Sequence, residues 1–126
     1  MFIVDLHSRQ PIYEQITQGI TRLVALGGLL PGQQLPSVRE FAEQQGLSPN
    51  TVQKAYGLLE REGIITSAPG RGTFISLDAS AVSQIKRTAL DKLGQSVGHA
   101  VEVGVTPGEI HAEVNQYLER NGTNND

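Results

Sequence analysis

A cluster of small and amide side chains, with one cation among them, lies at the start of the third predicted helix. Asn and Gln side chains form paired hydrogen bonds with adenine edges, whereas Ser and Thr hydroxyls bond to phosphates or bases. Since a recognition helix places its N-terminal residues in the major groove, the cluster favours contact with DNA. The alternative is an ordinary solvated helix face, and the side chains alone do not separate the two. The cluster comprises Ser48, Asn50, Thr51, Gln53 and Lys54.

Arg39 is a candidate phosphate contact near the start of the preceding predicted helix. Its guanidinium donates paired hydrogen bonds that match the oxygens of a phosphate. The alternative is a surface ion pair with Glu43, four residues further along, which is worth only about 0.3–0.5 kcal/mol.

Arg71 lies between Gly70 and Gly72 at the tip of a predicted β-hairpin. The two glycines let the backbone approach a groove, and the guanidinium fits a narrow minor groove or clamps a phosphate. A plain turn is the alternative. The segment is not a phosphate-binding P-loop, because it lacks the glycine–lysine spacing and precedes a strand instead of a helix.

Start and stop signals predict the helices that must hold these side chains. The first helix is expected to begin at Pro11 and to end before Gly27. The second begins at a capping box, in which Ser37 and Glu40 bond to each other's backbone N–H groups, and Gly46 ends it.

The third helix is predicted to begin at Ser48 and Pro49, an N-cap followed by proline, and to end at Gly63. Two short helices joined by a tight turn are typical of a helix-turn-helix. Two β-type runs follow, at residues 64–67 and 73–76, and together they predict a hairpin wing.

The residues after the wing return to helical periodicity, and a last helix is expected at Thr106, where Glu109 completes another capping box. The apolar stripe of this tail either packs onto the winged helix or forms a dimer interface, and we favour the dimer. A two-fold dimer presents two recognition helices about one DNA turn (~34 Å), or a multiple of it, apart. The predicted interface residues are Val82, Ile85, Ala89, Leu93 and Val97.

The predicted fold class is therefore α+β, with a winged helix-turn-helix of three helices and a hairpin followed by a two-helix tail. The DNA-binding domain is expected over residues 1–77 and the dimerisation tail over residues 78–126. Residues 121–126 are polar and are expected to fray.

Composition narrows the function classes for this chain of 126 residues and 13.6 kDa. There are no cysteines, which excludes disulfides and thiolate chemistry. The three histidines lie in separate segments without a metal-ligand spacing, so we predict no metal, no cofactor and no catalytic residue. With no apolar run of membrane length and no signal peptide, a cytoplasmic bacterial protein without membrane contact is expected.

The net charge of −3 is unusual for a DNA-binding protein, but it is unevenly distributed. Up to residue 77 six acidic residues balance six basic ones, whereas from residue 78 onward seven acids face four bases. A neutral module still binds phosphate through locally placed cations, because the Debye length is only about 8 Å at physiological salt.

Several motifs, in order, resemble the GntR family of bacterial regulators. They are PIYEQI at 11–16, LPSVRE at 35–40, LSPNTVQKAY at 47–56, LEREG at 59–63 and GRGTF at 70–74. The short two-helix tail is similar to the YtrA subfamily of that family. This resemblance implies a dimeric repressor that binds a pseudo-palindromic operator and controls its own operon and a transporter operon.

The resemblance also implies roles for individual positions. Arg39 corresponds to a DNA-contacting arginine of the second helix, and Gly70 and Arg71 correspond to the wing tip. Where this chain has Pro49 and Gln53, known relatives have arginines that read guanine, so a different base preference is expected here. The remaining implied DNA contacts, on the turn and the recognition helix, are Ser48, Asn50 and Thr51, and Lys54 supplies further charge.

Two other hypotheses stay open. In the first, the winged helix is a protein-interaction module without DNA binding. In the second, the tail helices bind a small-molecule effector or a metal and act as a sensor. An enzyme is the least supported class.

Overall fold

Helices and short strands alternate along the part of the chain that the computed structural model describes, residues 2–78 and 80–121. The fold is α+β, as predicted. In chain order the elements are α1 (Ile12–Leu26), β1 (Gln34–Leu35), α2 (Val38–Gln45), α3 (Pro49–Arg61), β2 (Ile65–Ala68), β3 (Gly72–Ile75), α4 (Ser80–Glu102) and α5 (Pro107–Asn121).

Local capping interactions set the bounds of α2. The Ser37 hydroxyl accepts the Glu40 N–H at 3.0 Å, and the Glu40 carboxylate accepts the Ser37 N–H at 2.9 Å. Gly46 ends the helix with a φ of 67°, a left-handed conformation that glycine adopts without strain. The predicted capping box is therefore confirmed.

Helix α1 differs by one residue from its predicted start. Pro11 is the N-cap, without a side-chain hydrogen bond, and Ile12 is the first helical residue. Pro11 has a ψ of 144°, which is extended, so the helix starts only at the following residue. Gly27 closes the helix with a φ of 81°.

The wing is a three-stranded antiparallel sheet in the order β1-β3-β2. Strands β2 and β3 form the predicted hairpin, with Ile65 opposite Ile75. Strand β1 is not predicted from the sequence, and it pairs Gln34 with Phe74. Two residues are too few to display a strand periodicity, so only the tertiary pairing defines this strand.

The hydrophobic core lies beneath α1, α2, α3 and the wing. Phe41 is fully buried, and its ring centroid lies 6.0 Å from that of Phe2 and 6.2 Å from that of Tyr56. The Tyr56 hydroxyl donates a 2.7 Å hydrogen bond to the Pro36 carbonyl. Burial, and then the nearby Glu40 carboxylate, raise the pKa of Tyr56. The largest fully buried side chains are Phe41, Ile16, Ile20, Leu59, Ile75 and Val52.

The described chain forms two compact units, one ending at Lys86 and the other beginning at Arg87. The first unit extends past the predicted boundary at residue 77 because Val82 and Ile85, in the first turns of α4, pack against its core. In the second unit Thr106 and Glu109 form the predicted capping box at the start of α5.

Asn121, the first residue of the segment predicted to fray, is the last residue of α5. Residues 122–126 lie outside the described residues.

Acid pH is expected to weaken the α2 capping box. The Ser37 backbone N–H, and then its hydroxyl, hold the pKa of the Glu40 carboxyl below its ordinary 4.5. A carboxyl whose pKa is depressed by folding adds stability above its unfolded pKa and loses it as pH falls through the folded pKa. We therefore expect Glu40→Gln to lower the melting temperature near neutral pH and the difference from the parent to shrink below about pH 4.5.

The measurement is a series of thermal melts of both proteins between neutral pH and pH 3. Glu43→Gln, on the same helix but outside the capping box, is the matched control. A difference between parent and Glu40→Gln that stays constant down to the lowest pH contradicts this role of the carboxylate.

Candidate nucleic-acid interface

Helix α3 buries one side and exposes the N-terminal edge that was predicted to face DNA. Val52, Ala55, Tyr56 and Leu59 are its buried residues. Because these positions recur at helical spacing, the residues between them face outward. Ser48, Pro49, Asn50, Gln53 and Lys54 are exposed and Thr51 is half-buried, so the predicted cluster forms one accessible edge.

Ser48 combines a capping role with a free donor. Its hydroxyl oxygen accepts the Asn50 N–H at 3.2 Å and so caps α3. A serine hydroxyl is both an acceptor and a donor, so its O–H can still donate to a further acceptor such as a phosphate oxygen. The helix dipole adds partial positive charge at the same place.

Lys54 is held by the aromatic ring of a residue on another helix. Its Nζ lies 3.9 Å from the centroid of the Tyr13 ring, a cation–π contact between α3 and α1. Such contacts at exposed sites are worth about 0.5–1 kcal/mol. The Lys54 charge therefore lies beside α1, and no local pattern in the sequence indicates this, because Tyr13 belongs to a different helix.

Arg39 is exposed on the first turn of α2. In the described residues it forms no ion pair with Glu43, the partner that the structural alternative requires. The guanidinium is therefore available to contact a phosphate from α2, the helix that comes directly before α3 in the chain.

The wing tip holds Arg71 on a tight turn. The Arg71 N–H donates to the Ala68 carbonyl at 2.8 Å, and Gly70 has a φ of 76°, which together define a type II turn. The Arg71 carbonyl accepts a 3.2 Å hydrogen bond from the Gln34 side-chain amide. Arg71 is exposed, and no sequence pattern indicates that Gln34 supports the wing tip.

The structure divides the five side chains predicted to form a dimer interface. Val82 and Ile85 are half-buried and pack against the core of the first unit, which is the role the alternative assigned to the whole stripe. Ala89 and Leu93 are exposed, and Leu93 retains 50% of its accessible surface. Val97 is half-buried and lines a groove within the second unit.

Within residues 2–78 and 80–121, there is no group of three or more His, Cys, Asp or Glu side chains that could hold a metal ion. Within the same ranges no helix is both long enough and apolar enough to span a bilayer.

Known proteins share both the domain and the tail of this chain. The family described as "Bacterial regulatory proteins, gntR family" matches residues 12–75. The HTH-type transcriptional repressor YtrA of Bacillus subtilis (strain 168) is 44% identical over 113 residues, 88% of this chain and 87% of that protein.

Two solved structures extend the likeness. YtrA from Sulfolobus acidocaldarius, described as a GntR-family transcription factor, has a TM-score of 0.60 and 31% identity, covering 94% of this chain and 97% of its own. The DNA-binding domain of AraR, solved in complex with an operator, has a TM-score of 0.51 and 35% identity, covering 60% of this chain and 95% of that domain.

Proposed function

Because the chain belongs to the gntR family of bacterial regulatory proteins and is a DNA-binding transcriptional regulator, we propose that it represses transcription by binding a pseudo-palindromic operator as a homodimer. Members of this family are regulators and not enzymes. The proposed targets are its own operon and a transporter operon, in keeping with the likeness to a transcriptional repressor. Its proposed location is the cytoplasm, where bacterial operators lie.

The exposed N-terminal edge of α3 is the observation that carries the DNA-binding mode. Asn50 and Gln53 present amide groups on this edge, and such groups pair with adenine. Proline and glutamine occupy positions 49 and 53, where the family resemblance implies guanine-reading arginines. We therefore propose an operator whose half-sites are read mainly at A·T pairs.

The homodimer is supported by the second unit, which leaves much apolar surface uncovered. Helix α5 has no fully buried residue. Single apolar side chains are common on protein surfaces, whereas many on one small unit favour an interaction surface. A second copy covers such a surface symmetrically. The exposed apolar side chains of this unit are Leu90, Leu93, Val101, Val103, Val114, Tyr117 and Leu118.

Truncation of the two arginines tests the DNA-binding mode. We expect Arg39→Ala and Arg71→Ala each to weaken operator binding by at least about tenfold, because each removes a charge-assisted contact worth about 1.5–3 kcal/mol. If Arg39, Lys54 and Arg71 each neutralise one phosphate in both subunits, log affinity should fall with log salt at a slope of about −5. Both arginines are exposed, so melting temperatures should hardly change.

Gel-shift titrations with the DNA upstream of its own gene, at several salt concentrations, measure both quantities. Arg22→Ala, an exposed arginine of α1 outside the interface, is the matched control. A slope near zero rules out the electrostatic mode. Failure of the parent to bind any selected DNA sequence favours the protein-interaction module instead.

A small-molecule effector remains a second candidate because of one groove within the second unit. It has a volume of about 390 Å³ and is lined mostly by apolar side chains, including Val97, Ala100, Ile110 and Val114. Thermal-shift screens against ligand and metal panels test the idea. A ligand that raises the melting temperature and changes operator affinity supports an effector, and one that changes neither argues against it.

A further inference from the structure

The backbone of the wing arginine is held on both sides. Its N–H bonds to the Ala68 carbonyl within the turn, and its carbonyl accepts the hydrogen bond from the Gln34 side chain. The second contact joins residues 37 positions apart in sequence. Gln34 reaches the tip because β1 is paired with β3, which places Gln34 opposite Phe74.

Gly72 makes room for this contact. A Cβ added at Gly72 would lie 2.5 Å from the Gln34 Nε2 atom, closer than real Cβ atoms approach other atoms. A Cβ added at Gly70, on the other side of Arg71, meets nothing within 4 Å. The close packing is therefore specific to the side of the tip on which Gln34 lies.

We propose that Gln34 is a positioning residue for operator binding, which acts by ordering the backbone of Arg71 before DNA arrives. This inference rests on the proposed contact between Arg71 and DNA. Only the side chain of a pre-ordered arginine loses freedom on binding, whereas a loose tip also loses backbone freedom. Removing the Gln34 bond should therefore weaken binding without removing any charge.

Gln34→Met tests the proposal, because the methionine side chain has a similar length but no N–H donor. We expect operator affinity to fall about three- to tenfold, the range for ordering one additional group. The salt slope should stay at the parent value, since Arg71 still reaches its phosphate. Arg71→Ala, in contrast, should reduce the magnitude of the slope by about 2 for the two subunits. The melting temperature should stay close to that of the parent, since the lost bond is exposed.

A double-mutant cycle shows whether Gln34 acts through Arg71. In the Arg71→Ala background, Gln34→Met should cause no further loss of affinity. In the free protein, backbone ¹⁵N relaxation should show a lower order parameter for the Arg71 and Gly72 amides in Gln34→Met than in the parent. Gln44→Met, which changes an exposed glutamine on α2 in the same way, is the matched control.

Each other outcome overturns the proposal in its own way. Parent-like affinity or parent-like amide order in Gln34→Met means that the bond does not order the tip. An equal loss in the parent and Arg71→Ala backgrounds means that Gln34 contacts DNA directly. If Arg71→Ala itself binds like the parent, the wing contact of the proposed function fails, and the positioning role fails with it.

Discussion

Leu93→Asp is expected to abolish operator binding at concentrations where the parent protein is fully bound, although Leu93 contacts no DNA in the proposed mode. An operator with two half-sites is held by two recognition helices, so a monomer loses half of its contacts. Leu93 is 50% exposed within its own chain. A carboxylate there stays solvated in the monomer but is desolvated at a cost when two tails pack together.

The half-exposure of Leu93 also makes the result interpretable. Since the side chain is outside the core of the first unit, a folded winged helix with an unchanged far-UV circular dichroism spectrum is expected. Gln95→Asp is the matched control, because it adds the same charge about 200° around the helix. Analytical ultracentrifugation reports the oligomeric state and gel shifts report binding. A folded Leu93→Asp monomer that binds the operator as tightly as the parent contradicts this role of the tail.

Phe41→Ala is expected to destabilise the first unit by about 3–5 kcal/mol, enough to unfold much of the population in a domain of ordinary stability. The ring is fully buried and contacts the rings of Phe2 and Tyr56. Its loss leaves a cavity beneath the two helices proposed to contact DNA, because Phe41 lies on α2 and Tyr56 on α3. Binding should therefore fall together with stability.

Urea denaturation followed by circular dichroism measures this effect. Phe74→Ala is the matched control, since the Phe74 ring is only half-buried on the wing and should cost less. Equal losses in the two variants would mean that the ring cluster around Phe41 is not the centre of the core. The same urea titration separates loss of binding through unfolding from loss of a DNA contact, because the arginine variants should remain as stable as the parent.

Most of the helices were predictable because their signals act over three or four residues. The Ser37–Glu40 and Thr106–Glu109 capping boxes were both expected from the sequence, and both form. The Ser48 cap and Gly46 together define the tight turn between α2 and α3. These interactions need no tertiary partner, so the order of residue types is enough to recognise them.

The tail was predictable only in part. A stripe of apolar residues at helical spacing indicates that one face is covered, but it does not specify what covers it. The structure places Val82 and Ile85 against the core of the first unit and leaves Leu93 exposed. One continuous stripe is thus packed at its start and exposed further along, and the change falls within a single helix, α4.

The sequence by itself determined the helix-turn-helix, the hairpin wing, the family resemblance and the exposed edge that begins at Ser48, because each depends on neighbouring residues. Only the tertiary structure decided that β1 joins the wing, that Lys54 lies over Tyr13 and that Gln34 holds the Arg71 carbonyl. These contacts join residues far apart in the chain, and their geometry depends on how the core around Phe41 orients the helices and strands. Local chemistry therefore specified which residues are proposed to contact DNA, and packing specified how firmly each one is held.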